Sequence, residues 1–339
     1  MKFDYVIGNP PYQENNKDNN RQSPVYHLFM EEAFKVASVV ELITPARFLF
    51  DAGQTPSWWN KKMLNDKHYK VLSYEQDGTK IFSNHDIKGG IAISIRNTNK
   101  DYGIIGVFTT SNILNSIVQK VNTNAENSIC NISYPKSNYG FNELLYDDFP
   151  LLKSRLTKGN EYIIDADIFN KMPEIFITDN NNVDFINIYG RKNNERIKKQ
   201  IKAKYIKNSE NLNKYKIFVT GANGSGAFGE VLSAPFVVGP KDIHTQTYMS
   251  IGCFDTQSEA NSCLVYIKTK FARCMLGVLK VTQNNPRSTW AKIPLQDFTE
   301  NSDIDWSKSI HEIDLQLYKK YGLSEEEIQF IETKVKPME

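Results

Sequence analysis

The residues best suited to chemistry are Asn9-Pro10-Pro11-Tyr12, which directly follow the apolar run FDYVIG at positions 3–8. Consecutive prolines restrict the backbone, so the Pro10 carbonyl is held in one direction. The Asn9 carboxamide oxygen is a second acceptor beside it. Such a pair suits alkylation of an exocyclic amine on a nucleobase, whose nitrogen lone pair is delocalised into the ring. Acceptors aimed at its two N–H bonds would return electron density to nitrogen by preorganised dipoles, without a strong base. An aromatic residue placed next, as Tyr12 is, can stack on a base that has left its duplex. A proline turn capping a strand is common by itself. Asn before it, Tyr after it and a strand leading in favour the chemical reading.

The elements that must position this loop read as α/β. Residues 3–8 are expected to form a buried strand that delivers the loop at its C-terminal end. The polar stretch 13–22 is expected to be mobile. Ser23-Pro24 opens a helix running to about Ala37, with Leu28, Phe29, Ala33 and Val36 near helical spacing. Strands follow at 39–44, 71–75 and 91–96, with a helix at 58–64 and a turn at Gly89-Gly90. A further strand at 104–108 and a helix at 111–121 complete the pattern.

The second half has a different texture. Short strand-like runs at 175–178, 216–220, 236–239 and 248–251 are joined by Gly/Asn turns. A long helix opens at the capping box Thr256-Gln257-Ser258-Glu259. Its stripe of Ala260, Cys263, Leu264, Ile267, Phe271, Cys274, Met275 and Val278 reads as core. Helices at 307–321, closed by Gly322, and at 324–335, opened by Ser324 and Glu327, end the pattern. The expected fold is a partial Rossmann-like sheet over residues 1–121, a linker over 122–155 and an α+β domain over 156–339.

Composition bounds these readings. A chain of 339 residues that is 40% hydrophobic can build two packed domains, and a net charge of +2 neither supports nor excludes nucleic acid. The cysteines (Cys130, Cys253, Cys263, Cys274) form no CxxC pair and the histidines share no metal spacing, so no metal site is expected. No apolar run approaches the roughly 20 residues of a membrane span. The start MKFDYVIGNPPY lacks the pattern of a signal peptide. A cytoplasmic protein with reduced thiols and no membrane association is expected.

Asn9-Pro10-Pro11-Tyr12 after its strand resembles motif IV of the amino-group methyltransferases. The following segment YHLFMEEAFKVASVVELITPARFLF is similar to the helix–strand–Pro segment of the Eco57I-like type II restriction-modification methylases. GTKIFSNHDIKGGIAISIRN resembles their motif VIII hairpin, in which an aromatic residue contacts the flipped adenine. Phe82 occupies that place; a core phenylalanine at a strand end is the other reading. The stretches KIFVTGANGSGAFGE, IHTQTYMSIGCFDTQSEANSCLVYIKTKFARCMLGVLKVTQNNPRSTWAKIPLQDF and DIDWSKSIHEIDLQLYKKYGLSEEEIQFIE resemble the family's target-recognition region, with looser signatures. The resemblance implies an adenine-N6 DNA methyltransferase that uses S-adenosylmethionine and flips its target base out of double-stranded DNA. Asn9 and the Pro10 carbonyl would activate N6, and Tyr12 and Phe82 would hold the base.

The family's pattern is broken in one place. A Gly-rich cofactor loop belongs upstream of the motif, and only eight residues precede Asn9. The chain is expected to be a truncation; a separate polypeptide carrying the cofactor half and a degenerate remnant are the alternatives. The run Phe218-Val219-Thr220-Gly221-Ala222-Asn223-Gly224-Ser225-Gly226 superficially fits a relocated cofactor loop. Gly229 and Pro235 follow it where a helix should open, so a turn in the recognition domain is expected instead.

Arg191, Lys192, Arg196, Lys198, Lys199, Lys202, Lys204 and Lys207 form a basic cluster near Tyr189 and Tyr205. Phosphate contact and a solvated surface are equally expected there. Gln283, Asn284, Asn285, Arg287 and Trp290 lie in a polar loop of the kind that reads base edges. No nuclease motif stands out. Rival readings are a DNA-specificity module without catalysis, and methyl transfer to RNA or to protein glutamine.

Overall fold

The structure, a computed structural model, describes residues 3–14, 23–50, 54–82, 87, 89–123, 126–178, 184–193, 195–280 and 282–338. They form a mixed α/β protein with several sheets, in two compact units, Met1–Asn122 and Thr123–Glu339.

The first unit runs β1 (Phe3–Gly8), α1 (Tyr26–Val36), β2 (Ala37–Pro45), α2 (Ser57–Leu64), β3 (Tyr69–Glu75), β4 (Ile91–Asn97) and α3 (Asn112–Val121). Its sheet has the order β1-β2-β4-β3. β1 and β2 are parallel, and β4 is antiparallel to both β2 and β3. The carboxyl ends of β1, β2 and β3 therefore share one edge.

Alternation along the strands sends Val6, Val40, Leu42, Tyr69 and Ala92 into one core with Tyr26, Met30, Trp59 and Met63. Each large apolar side chain buried there contributes roughly 1.5–3 kcal/mol. β1 departs from the buried strand expected. Phe3, Tyr5 and Ile7 remain 49%, 67% and 77% exposed, and β1 is an edge strand of this sheet. Its sequence is as apolar as an interior strand's, yet nothing among the described residues covers that face.

α1 opens at Tyr26 rather than at Ser23, because the preceding residues pair backwards. Val25 N–H donates to the Tyr12 carbonyl at 3.1 Å and Glu14 N–H to the Ser23 carbonyl at 3.0 Å. The helix turns Tyr26 and Met30 into the core, with Ala33 and Phe34 against it, and leaves Leu28 and Phe29 exposed. Of the polar stretch 13–22, only Gln13 and Glu14 lie among the described residues. The strand expected at 104–108 does not form. Gly103 and Gly106 take left-handed φ values of 75° and 63°, and Phe108 packs against Phe50 and Tyr74.

The second unit contains β5 (Ser133–Tyr134), α4 (Leu144–Asp148), α5 (Ile168–Lys171), β6 (Phe185–Lys192), β7 (Glu195–Lys202), β8 (Tyr215–Thr220), β9 (Phe236–Val238), β10 (Asp242–His244) and β11 (Tyr248–Phe254). α6 (Gln257–Lys268), α7 (Lys270–Gly277), α8 (Ile310–Lys320) and α9 (Glu325–Lys334) follow. The strands make two sheets, β10-β6-β7 and β5-β11-β8-β9.

Part of the 122–155 segment, expected to be a linker, is built into this unit's core. Tyr139, Phe141, Leu145 and Leu152 are buried there beside Ile186, Ile188 and Ile201. Their spacing has no helical or strand period, which hid them. The run 175–178 is a 3₁₀ turn and an isolated bridge to Gln200 rather than a strand. The helix expected from Thr256 to Val278 is two helices. Thr269 adopts ψ 152° and caps the Ala272 N–H, breaking the chain between α6 and α7 while the apolar stripe continues across the break. Capping boxes start α6, α8 and α9. No helix among the described residues is long and apolar enough to cross a membrane.

Candidate active site and candidate DNA-contacting surface

β1 ends at Gly8, and Asn9 and Pro11 stand exposed immediately beyond it. In open α/β sheets, the ground outside the carboxyl ends of the strands is where ligands bind. The loop is fixed at both ends. β1 holds its start through the ladder with β2, and the Tyr12 carbonyl accepts from Val25 at the head of α1.

Tyr12 is half-buried, and its ring meets Phe82 edge to face, with centroids 6.4 Å apart and planes at 71°. Burial pushes the Tyr12 phenol up to about 12, and the Asn9 carboxamide close by partly opposes the shift. The phenol oxygen is buried, and among the described residues none stands in full hydrogen-bonding geometry to it. It stays protonated across the physiological range.

Phe82 is delivered from beyond the carboxyl end of β3. Asp77 caps the 3₁₀ turn Gly78–Lys80 by accepting from Thr79 N–H at 3.1 Å, and Phe82 N–H donates to the Gly78 carbonyl at 2.9 Å. On the way into β4, Gly90 has φ 79°, and a Cβ there would lie 2.6 Å from the Glu75 carbonyl oxygen. Only glycine fits that turn. The structure thus brings Asn9, Tyr12 and Phe82 to the same sheet edge. His85, within the hairpin, lies outside the described residues.

In the second unit the basic cluster is divided: Arg191 and Lys192 end β6, Lys204 and Lys207 follow β7, and the rest lie on β7, an edge strand paired with β6 through Tyr189↔Lys198 and Ile188↔Lys199. Alternation separates the lysines. Lys198 and Lys202 are exposed on one face, and Lys198 Nζ lies 5.9 Å from the Tyr189 ring centre. Lys199 points to the other face, with its Nζ 6.0 Å from the ring of the core residue Phe169. Arg196 donates to the Ser233 and Ala234 carbonyls at 3.1 Å, and Lys204 pairs with Asp148 at 2.5 Å.

The polar loop after α7 divides as well. Gln283, Asn284 and Arg287 are exposed, and Arg287 donates to the Cys130 carbonyl at 2.7 Å. Asn285 is buried. Trp290, expected to contact DNA, is 0% exposed. Polar neighbours suggested an exposed loop, whereas the Arg287–Lys292 turn carries the indole into the core. The sequence reading named Lys207 but missed the aromatic–basic group it joins: Lys153 Nζ lies 5.8 and 5.7 Å from the Tyr146 and Tyr162 rings, and Lys207 Nζ 4.7 Å from Tyr162. Those residues are scattered along the chain and only the fold gathers them.

Comparison with known proteins gives matches of differing extent. Residues 1–82 match the family described as Eco57I restriction-modification methylase. An "Uncharacterized adenine-specific methylase" of Mycoplasma pneumoniae is 31% identical over 103 residues, which are 29% of this chain and 24% of that protein. The chain thus spans about a quarter of that relative's length. Among solved structures, the type IIG restriction endonuclease BpuSI matches over 92% of this chain and 48% of its own, at 12% identity and a TM-score of 0.31. The ATP-dependent Type ISP restriction-modification enzyme LlaBIII bound to DNA matches over 73% and 24%, at 11% identity and a TM-score of 0.19. Neither score supports an argument about the fold. The sequence matches show a partial likeness: residues 1–82 are similar to the Eco57I restriction-modification methylases, and 103 residues are similar to a protein described as an adenine-specific methylase.

Proposed function

We propose that this chain carries the target-base site and the DNA-recognition region of an adenine-N6 DNA methyltransferase of a restriction-modification system. The observation that carries the reading is the Asn9-Pro10-Pro11-Tyr12 loop at the carboxyl end of β1, with Asn9 and Pro11 exposed and Phe82 set against the half-buried Tyr12. Asn9 Oδ1 and the Pro10 carbonyl oxygen accept the two N–H bonds of the adenine amine, and the nitrogen gains electron density as the methyl group arrives. Tyr12 and Phe82 flank the extruded base and keep water from it. With its phenol protonated, Tyr12 works by its ring and carries no charge toward the cationic methyl donor.

S-adenosylmethionine supplies the methyl group in this class of reaction. The described residues offer no cradle for it: the Gly-rich run after β8 opens no helix, and the Glu230 carboxylate fills it. The fit lies elsewhere. The open edge of β1 and its exposed Phe3, Tyr5 and Ile7 suit a cofactor-binding half that adds strands to the Rossmann-like sheet, in cis or from another polypeptide. In the second unit, Lys198 and Lys202 would meet phosphates, and Gln283 and Arg287 would lie toward the bases.

The test is methyl transfer by this chain combined with a cofactor half, using DNA, RNA and glutamine-bearing protein as acceptors. Transfer to adenine N6 in DNA that disappears with Asn9→Ala supports the reading. DNA binding with no transfer in any combination leaves a specificity module instead.

A further inference from the structure

The Gly-rich run at 221–229 is folded around a carboxylate of its own chain. Ser225 N–H donates to Glu230 Oε1 at 2.9 Å and Oε2 at 3.2 Å, and Gly226 N–H donates to Oε2 at 3.1 Å. The Ser225 hydroxyl donates to Oε1 at 2.7 Å. The Lys280 ammonium lies 3.7 Å from Oε2 and donates to the Asn223 carbonyl at 2.9 Å. Lys280 is buried, so its charge is committed to this spot. Gly224, at φ 59°, lies so close beneath the carboxylate that a Cβ there would come within 2.1 Å of Oε2.

Successive backbone N–H groups, a hydroxyl and an ammonium converging on one point are the donor set of a phosphate-binding nest. Here the occupant is attached to the chain. The backbone and hydroxyl donors of Ser225 hold the Glu230 carboxyl down at about 2, so it is a carboxylate at any physiological pH.

We propose that residues 223–230 form an oxyanion nest whose resident ligand is the Glu230 side chain, which keeps the site closed to free phosphate-class anions. A tethered carboxylate acts at an effective concentration that dissolved phosphate does not reach, and its charge repels a second anion. The closed nest also fixes its neighbours. Asn223 N–H donates to the Gln283 carbonyl at 2.8 Å, Asn285 N–H donates to the Gly221 carbonyl at 3.1 Å, and Ala222 bridges to Asn284. A Cβ on Gly226 would lie 2.5 Å from the Thr282 backbone. Exposed Ser225, Gln283 and Asn284 are thereby presented on two adjoining loops held in one arrangement.

The probe is inorganic phosphate titrated into the full chain, followed by thermal melting and by hydrogen exchange at the Ser225 and Gly226 amides. In the native chain both amides are protected in phosphate-free buffer, and phosphate changes neither their protection nor the melting midpoint. Glu230→Ala exposes the amides to exchange and gains saturable phosphate binding, which raises its midpoint and slows exchange at both amides at least about tenfold as the site fills. Adding Lys280→Met to that variant abolishes the response. Unprotected amides in the native chain overturn the proposal, and this outcome is readable even if Glu230→Ala does not fold. Saturable phosphate binding by the native chain, or none by a folded Glu230→Ala, also overturns it.

Discussion

The Tyr12 and Phe82 rings, carried beyond the ends of two different strands of one sheet, meet edge to face at 6.4 Å. The contact is worth about 0.5–1.5 kcal/mol as an aromatic pair. Its position next to the exposed Asn9 gives it chemical interest. Removing either ring should harm base holding more than folding. Phe82→Ala in the reassembled enzyme is expected to lower kcat/KM for duplex DNA about 10- to 100-fold, the worth of one base-stacking contact. Tyr12→Phe should lose little. A large loss with Tyr12→Phe would assign the work to the hydroxyl.

Asn9 is exposed and outside the core, so its replacement separates chemistry from stability. Asn9→Ala should reduce kcat about 100- to 1,000-fold, the usual cost of one preorganised dipole, with KM nearly unchanged. Single-turnover methylation measures the first effect and thermal melting the absence of a second. An equal fall in the melting midpoint would show that the loop is structural.

The parity of β7 makes a sharper prediction than the basic run did. Lys198→Ala and Lys202→Ala should each reduce the slope of log affinity for DNA against log salt by about 1. Lys199→Ala, on the face toward Phe169, should change it less. Trp290→Ala should instead destabilise the second unit by about 3–5 kcal/mol, because it empties a fully buried site. Denaturant unfolding of the same variants distinguishes the two behaviours.

How much of this was legible follows from how local each signal is. The Asn9 loop and the capping boxes at Thr256 and Ser324 occupy a few consecutive residues, and both could be read directly. The face of a lysine could not, since it depends on the Tyr189↔Lys198 register with a strand that basic residues disguised. Trp290 was misplaced for a similar reason: exposure of Gln283 and Arg287 says nothing about where a turn sends the next indole. The break at Thr269 was hidden because the buried stripe of α6 and α7 continues through it. The apolar residues of β1 point to an interior strand, whereas its place at the end of the sheet is a matter of pairing, which composition does not encode.

Asp314 supplies a pH-dependent element in the second unit. It is buried on α8 and accepts from the Lys270 and Phe271 N–H groups at 3.0 and 2.8 Å. Burial outweighs these donors and pushes its carboxyl up to about 6. An unfolded aspartate titrates near 3.9, so the folded state binds the proton more tightly between about pH 4 and pH 6. Stability is therefore expected to fall as pH rises through that window and to level off above it. Asp314→Asn should flatten this slope, whatever it does to absolute stability. Denaturant midpoints at pH 4, 5, 6 and 7 test the sign.

The unpaired side of β1 has a practical consequence. A strand whose outer row of amides and carbonyls is left unpaired by the described residues, with Phe3, Tyr5 and Ile7 bare along one face, is a template for a second molecule. Purified alone and concentrated, the protein should self-associate and bind hydrophobic dyes. Ile7→Lys should restore solubility by charging the bare face of the strand.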